Sequence, residues 1–471
     1  MKDLRRGFTL LRLLVVTAIT AIPVALLFPG SAKALEEARQ VSGTRALSNR
    51  YGVCDSHLPL DNNSTMELKF SRMNAAGISS VRCVFAWPDM EPSPGAWNFA
   101  GTDLVMKKAS AHGVGVVVIL GFTPSWANGG NGFNYPPTNI AAWRNYVTTV
   151  CTRYAGKVAA WEVWNEENIH QFWQPAPDAA AYVALLSQTS PLIRTADPGA
   201  TIVMGGVAGL GSDYLDACLN ASAADLIDAI AYHPYPETLY KDDYTPQESR
   251  CRNIVAFVRW LISTHTTRPL RIWITEVGWN TCAESPPGVS MDTQASYMLR
   301  TLINYGGTEV DRVFYYSLYD EQLNKWDDYG LATHDYSPKP AFNYFRTLES
   351  VFGQAVSPNA TAATFTCSTP ATLEAHAFNL ADGSLVVGAW KSNDAQDTLA
   401  VTVAGPAYAR PVTVDPATGL EQPTPNAARA ADGSVTATGI AVGKRPVMIR
   451  FAPAVPRISP SRRPRERPAD P

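Results

Sequence analysis

A strand–helix alternation that repeats from Tyr51 to Phe352 limits, more than any other feature, how this chain can fold. Short runs rich in β-branched and aromatic residues occur at Tyr51–Cys54, Ser80–Ala86, Val114–Gly121 and Val158–Trp164. Four more follow at Thr201–Gly205, Ile227–Tyr232, Leu270–Thr275 and Val310–Tyr316. Such nearly continuous apolar runs mark strands buried on both faces of a parallel sheet. Amphipathic stretches lie between them, among them Ile140–Tyr154, Ala179–Thr195, Gln247–His265 and Thr293–Tyr305, with a last one at Lys339–Phe352. Eight strands, each followed by a helix, predict an α/β fold of the (β/α)8 barrel type, with its active site where the strands end. A doubly wound sheet would normally have fewer strands and a glycine-rich phosphate turn. Gly205-Gly206-Val207-Ala208-Gly209 comes nearest, but it lacks the spacing and the downstream acid, and it reads as a strand-end turn.

Two glutamates stand at strand ends. Glu166 follows the fourth run in Trp164-Asn165-Glu166, and Glu276 follows the seventh in Trp273-Ile274-Thr275-Glu276-Val277-Gly278-Trp279. Two carboxyl groups at a barrel mouth, ringed by tryptophan, are what cleavage of a glycosidic bond needs. One protonates the leaving oxygen; the other attacks the anomeric carbon or activates water. Either glutamate alone would prove little, and the pair in this setting is specific. The 12 tryptophans and 19 tyrosines also suit stacking on sugar rings, although much of that aromatic content must be ordinary core.

From Tyr51 to Phe352 the chain resembles the clan A glycoside hydrolases, with family 39 and its family 5-like relatives the closest in texture. Beyond the glutamates, the likeness rests on Ser80-Val81-Arg82, on Trp87-Pro88-Asp89-Met90-Glu91-Pro92 and on Gly95-Ala96-Trp97-Asn98-Phe99. Phe122-Thr123-Pro124-Ser125-Trp126-Ala127, Tyr232-His233-Pro234-Tyr235, Tyr329-Gly330-Leu331 and Ser337-Pro338-Lys339-Pro340-Ala341 extend it. The resemblance implies a retaining mechanism with Glu166 as acid/base and Glu276 as nucleophile. By the same carry-over Asn165 would bind the sugar 2-hydroxyl, Arg82 would hold Glu276 ionised, Tyr235 would donate to it and His233 would line the same wall. The chain departs from the pattern twice. Glu167 replaces the proline that usually follows the Asn-Glu pair, adding a charge, and the eighth strand lacks the usual tryptophan, where a tyrosine can substitute.

Plainer readings compete for several residues. Glu162 shares strand parity with Glu166 but sits deeper, as an ion-pair partner would, and Arg82 could be only that partner. His233 is as well explained as a satisfied polar group at a strand end, and His57, after the first strand, is a weaker case of the same kind. Among Trp87, Trp126, Trp164, Trp279 and Trp326, loop-tip placement favours sugar contact, with Trp126, Trp279 and Trp326 preferred. Trp143, Trp161, Trp260 and Trp273 lie within helix or strand patterns and are expected in the core; Glu284, Asp320 and Asp327 are expected to be solvated.

The rest of the chain frames this unit. Residues 1–34 read as an export signal: Lys2, Arg5 and Arg6, an apolar stretch from Leu13 to Phe28, and an Ala32-Lys33-Ala34 cleavage site. Arg5-Arg6-Gly7-Phe8 suits a twin-arginine leader, Gly7-Phe8-Thr9-Leu10-Leu11 a prepilin leader, and an uncleaved anchor is the third route; all lead out of the cytoplasm. Residues 35–50 form a polar spacer, 51–352 the barrel, 353–455 a small antiparallel β-sandwich, and 456–471 a disordered Pro/Arg tail. A formal charge of -3 gives no case for nucleic acid or an anionic membrane surface. The seven cysteines include no CxxC pair, so no structural zinc is expected; most should be buried, with one or two disulfides possible after export. The expectation is an exported, monomeric retaining glycosidase acting on plant or microbial oligo- or polysaccharide without metal or organic cofactor. The alternatives are an exo-acting β-xylosidase-like enzyme and a silent carbohydrate-binding envelope protein.

Overall fold

The computed structural model describes residues 50–453, apart from 237–245, 247, 283–287, 322–326, 353–355 and 405–407. Eight parallel strands close in sequence order: β1 (Tyr51–Cys54), β2 (Ser80–Ala86), β3 (Gly115–Gly121), β4 (Ala160–Asn165), β5 (Thr201–Ala208), β6 (Ala229–His233), β7 (Arg271–Val277) and β8 (Val310–Tyr315). β8 pairs back onto β1, which leaves the sheet without an edge. The helices that follow them in turn are α1 (Asn63–Ala75), α2 (Ala100–His112), α3 (Ile140–Arg153), α4 (Ala179–Ala196), α5 (Ser212–Asn220), α6 (Glu248–His265), α7 (Met291–Gly306) and α8 (Pro340–Phe352). Side chains of Asn62, Asn139, Asp178 and Ser290 cap α1, α3, α4 and α7 by accepting a backbone N–H three residues on.

β5 corrects one expectation, because Gly205 and Gly206, read as part of a turn, lie inside it and only Gly209 follows it. A β-carbon on Gly205 would collide with the Glu167 carboxyl, and one on Gly206 with the His233 ring and the Thr275 hydroxyl. These glycines give room to side chains from neighbouring strands.

The barrel interior is built in layers. Cys54, Val117, Ala160, Val203, Ala229, Ala231, Trp273 and Phe314 form a dry lower cluster in which small alanines admit the Trp273 indole. Strand side chains alternate, so the inward position two residues further on lies one layer higher. In that layer Ala160 gives way to Glu162, Ala231 to His233 and Trp273 to Thr275. The barrel thus changes from apolar to ionic within one layer.

The C-terminal strands form a four-stranded and a six-stranded antiparallel sheet. Leu385, Val387, Leu399, Val401 and Ile449 are in the core between them. Phe378, Val386, Trp390 and Met448 instead join the core cluster of the barrel helices, so the two parts share packing. Here the fully buried Arg300 of α7 donates through Nε to Glu248 of α6 at 2.7 Å, and the Trp390 indole donates to the same carboxylate oxygen at 2.8 Å. Trp143, Trp161 and Trp273 are core as expected, but Trp260 is 42% exposed on α6. Asp320 is buried and paired with Lys339 at 2.6 Å rather than solvated, while Glu284 lies outside the described residues. None of the seven cysteines is in a disulfide, and six of them are buried.

Candidate active site

The site is assembled on the upper layer of the barrel. Arg82 on β2 is buried and makes four hydrogen bonds: Nε and Nη2 donate to Glu162 at 2.6 and 3.0 Å, Nη1 to Glu276 Oε1 at 2.6 Å, and Nη2 to Asn165 Oδ1 at 2.7 Å. One guanidinium therefore faces two carboxylates. Glu276 ends β7 with a second donor, the Tyr235 hydroxyl, at 2.9 Å from Oε2. Burial alone would raise the Glu276 carboxyl. The neighbouring His233 ring and Arg82 guanidinium, with hydrogen bonds from Tyr235 and Arg82, outweigh it and hold the group below the ordinary glutamate range. Both readings of Arg82 therefore describe real contacts, one with Glu162 and one with Glu276.

Glu166 sits just past β4 on a strained segment. Trp164 and Glu166 both have positive φ, 73° and 49°, a region that non-glycine residues occupy only where the surroundings hold them. The His233 Nδ1 lies 2.8 Å from Glu166 Oε1, and its Nε2 lies 2.9 Å from the Thr275 hydroxyl. One carboxylate oxygen each from Glu166 and Glu276 and a ring nitrogen of His233 come within 4.8 Å of one another. That spacing would admit a metal ion, but Glu276 is already held by a guanidinium that repels cations.

The two carboxylates open into a cleft of about 530 Å³ lined by elements from β1, β2, β3, β4 and β8. His57 lines it on the β1 side, its ring 3.4 Å from Glu321; hydrogen bonding to that carboxylate raises the imidazole above its ordinary value. A smaller recess of about 300 Å³ adjoins past His57, Leu60 and Glu321. Tyr316 occupies the β8 wall where a tryptophan is usual, with Tyr235 and Tyr329 edge-on to it. Phe122, Phe133 and Phe172 make the opposite aromatic wall, which sequence reasoning missed. Phe122 stood in a quoted motif, but only convergence of two loops in space turns three phenylalanines into a surface.

The tryptophans do not take the places expected of them. Trp279 is 3% exposed and packs edge-on to Tyr297, because its side chain turns under α7 instead of into the cleft. Trp126 is half-buried, donates its indole N–H to the Glu91 carbonyl and does not line the cleft. Trp87 and Trp164 are fully buried, and Trp326 lies outside the described residues. Glu167 is not the added charge expected of it. It is fully buried against β5, neither carboxyl oxygen has a partner, and desolvation pushes it up to about 8, so that it is neutral at lower pH.

A closed parallel barrel with this carboxylate pair at its mouth is the framework of a glycoside hydrolase. The chain belongs to glycosyl hydrolases family 39, whose family model matches residues 36–411. It is similar to a beta-xylosidase from Geobacillus stearothermophilus, 26% identical over 286 residues. That match covers 53% of this chain and 55% of the relative, so the chain spans about half the length of the curated relative it matches. A solved family 39 glycoside hydrolase from Bacteroides cellulosilyticus WH2 has a TM-score of 0.67 at 20% identity, covering 86% of this chain and 81% of the other. A monomeric beta-xylosidase from Caulobacter crescentus CB15 has a TM-score of 0.60 at 17% identity, covering 86% and 96%. These structural likenesses show the barrel fold with its C-terminal sheets.

Proposed function

We propose that the chain is a retaining glycosidase that works by double displacement. The observation that carries this reading is the approach of the Glu166 and Glu276 carboxylates, whose ligand oxygens lie within 4.8 Å. Retaining enzymes hold the two carboxyl groups about 5–5.5 Å apart and inverting ones ~6.5–9.5 Å, and an oxygen-to-oxygen approach this short favours the closer arrangement. The Glu276 carboxylate attacks the anomeric carbon as the bond to the leaving oxygen breaks, and that oxygen takes the Glu166 proton. In the second half the Glu166 carboxylate takes a proton from water. The water oxygen bonds the anomeric carbon, and Glu276 leaves as carboxylate. Asn165, held through its Oδ1 by Arg82, offers its amide N–H to the sugar 2-hydroxyl, a contact that tightens in the transition state. His57 and Tyr316 supply polar and stacking contacts on one wall of the cleft, and the three phenylalanines an apolar one.

The substrate is an oligo- or polysaccharide of plant or microbial origin, met outside the cytoplasm by a monomer that follows the N-terminal leader. An exo-acting β-xyloside specificity is a narrower second reading, favoured by the beta-xylosidase names among the relatives. Proton NMR of the first product formed tests the mechanism: retained anomeric configuration is expected, and inversion would exclude it. Alanine at Glu166 should slow natural substrates most and spare aryl glycosides, whose leaving groups need little protonation, with azide restoring turnover. No turnover on a broad panel of glycosides would leave the silent carbohydrate-binding reading. N-terminal sequencing of exported protein should begin near Leu35; Phe8 as first residue would indicate the prepilin route and Met1 the anchor.

A further inference from the structure

The two catalytic carboxylates are joined beneath the cleft by a buried chain of hydrogen bonds, and its middle member, Thr275, has no role in the mechanism above. Glu162 is held to Arg82 by two N–H donors, and its Oε1 also accepts from the Gly206 backbone at 3.0 Å, so this carboxylate acts as an acceptor only. The Thr275 hydroxyl lies 3.2 Å from that oxygen and can only donate to it. A hydroxyl has one proton. Once that proton points at Glu162, the 2.9 Å contact with His233 Nε2 needs its proton from the ring. His233 Nδ1 is then left to face Glu166 Oε1 at 2.8 Å with a lone pair. Thr275, Glu162 and His233 are all wholly buried, and Gly206 has no side chain because none would fit against this contact.

We propose that Thr275 is a positioning residue that fixes His233 as the Nε2–H tautomer and thereby keeps the catalytic proton on the contact between Glu166 and Nδ1. The opposite tautomer would put N–H on Nδ1 and donate it to a Glu166 carboxylate, favouring the form that has no proton to give. With the Nε2–H form, losing the shared proton leaves a lone pair facing an anion, which resists that loss. The other charged groups around the ring are Glu162 on β4, Glu276 on β7 with Oε2 at 3.7 Å, and Arg82 behind them on β2. Of these, Glu276 lies on the Nδ1 side and pulls towards the opposite tautomer; the Arg82 guanidinium bonded to the same carboxylate offsets that pull, and Thr275, held to Glu162, decides against it. The proposal rests on Glu166 as acid/base, but the tautomer can be read without any turnover.

Histidine-selective 15N NMR of the full chain, with the His233 signals assigned by their loss in His233→Asn, gives the first readout. Below the alkaline limb of activity, Nε2 should be protonated in the wild type. In Thr275→Val the proton should move to Nδ1, since valine has the shape of threonine without the acceptor. The alkaline limb of kcat/KM for natural glycosides should then fall by about one pH unit, the tenfold effect typical of one buried hydrogen bond. Aryl glycosides should be nearly spared, and Thr275→Ser should restore both the tautomer and the profile. An unprotonated Nε2 in the wild type would overturn the proposal, as would a folded Thr275→Val with an unchanged tautomer and profile. If Thr275→Val does not fold, the wild-type tautomer and Thr275→Ser still decide. A wild type inactive on every glycoside would refute the functional reading and leave the NMR result standing.

Discussion

Among the described residues two arginines are completely buried, and they are neutralised in different ways. Arg300, where the barrel meets the C-terminal sheets, faces one carboxylate, Glu248, which the Trp390 indole also satisfies. Arg82, at the barrel mouth, faces two, Glu162 and Glu276. The first cluster balances to zero and is sealed. The second keeps an unbalanced negative charge, and that charge lies on Glu276, the member that reaches the cleft. A buried ion pair is weak evidence of stability, because desolvation cancels much of its attraction. What separates these clusters is where the unmatched charge sits, and only the one at the mouth faces the cleft.

The strongest way to break the comparison is Glu276→Ala. If the proposed double displacement holds, it should lower turnover on the order of 10⁴-fold or more on every substrate, because no covalent intermediate can form. Since Glu162 alone balances Arg82, the variant should melt no lower than the parent, and a melting curve beside the kinetics checks both halves. Removing one partner of the sealed cluster should do the reverse. Glu248→Ala strands Arg300 without a counter-charge and should cost about 3–5 kcal/mol in denaturant unfolding, with kcat within about twofold where the protein remains folded.

Glu167 sharpens the contrast, as a buried acid with no cation at all. Its carboxyl is raised to about 8, so the folded state binds this proton more tightly than the unfolded chain does. Its stabilising effect is therefore full below the unfolded glutamate value and is lost as pH rises towards 8, at about 1.4 kcal/mol per pH unit. Glu167→Gln should remove that slope, so urea midpoints of variant and parent should diverge between pH 5 and pH 8, in the variant's favour at the alkaline end. The smallest effect is expected from Trp390→Phe, which deletes one donor to Glu248 and should cost about 1 kcal/mol with unchanged kinetics.

The barrel strands were legible because each is an apolar run between helical patterns, and the boundaries of β1 and β2 coincide with the runs read from sequence. Glu166 and Glu276 stood out because a carboxylate at the end of such a run is out of place in a core. Reasoning failed where periodicity stops. Beyond the last strand residue nothing in the sequence says which way a side chain turns, and so Trp279 looked like a cleft residue and is core. Gly205 and Gly206 looked like punctuation, whereas they are strand residues thinned to admit a glutamate and a histidine from other strands. Thr275 stood in a quoted motif with no mark upon it. Its place in a proton chain depends on contacts with β4 and β6, which sequence spacing does not encode.

The lack of any disulfide among the seven cysteines has a consequence for where this chain can mature. No covalent crosslink contributes to the fold, so every contact that holds it forms equally well under reducing and oxidising conditions. The protein can reach its native state in the compartment where it is made, and it needs neither an oxidant nor a disulfide isomerase to do so. Glutathione or a chemical reductant should leave its melting curve where it was.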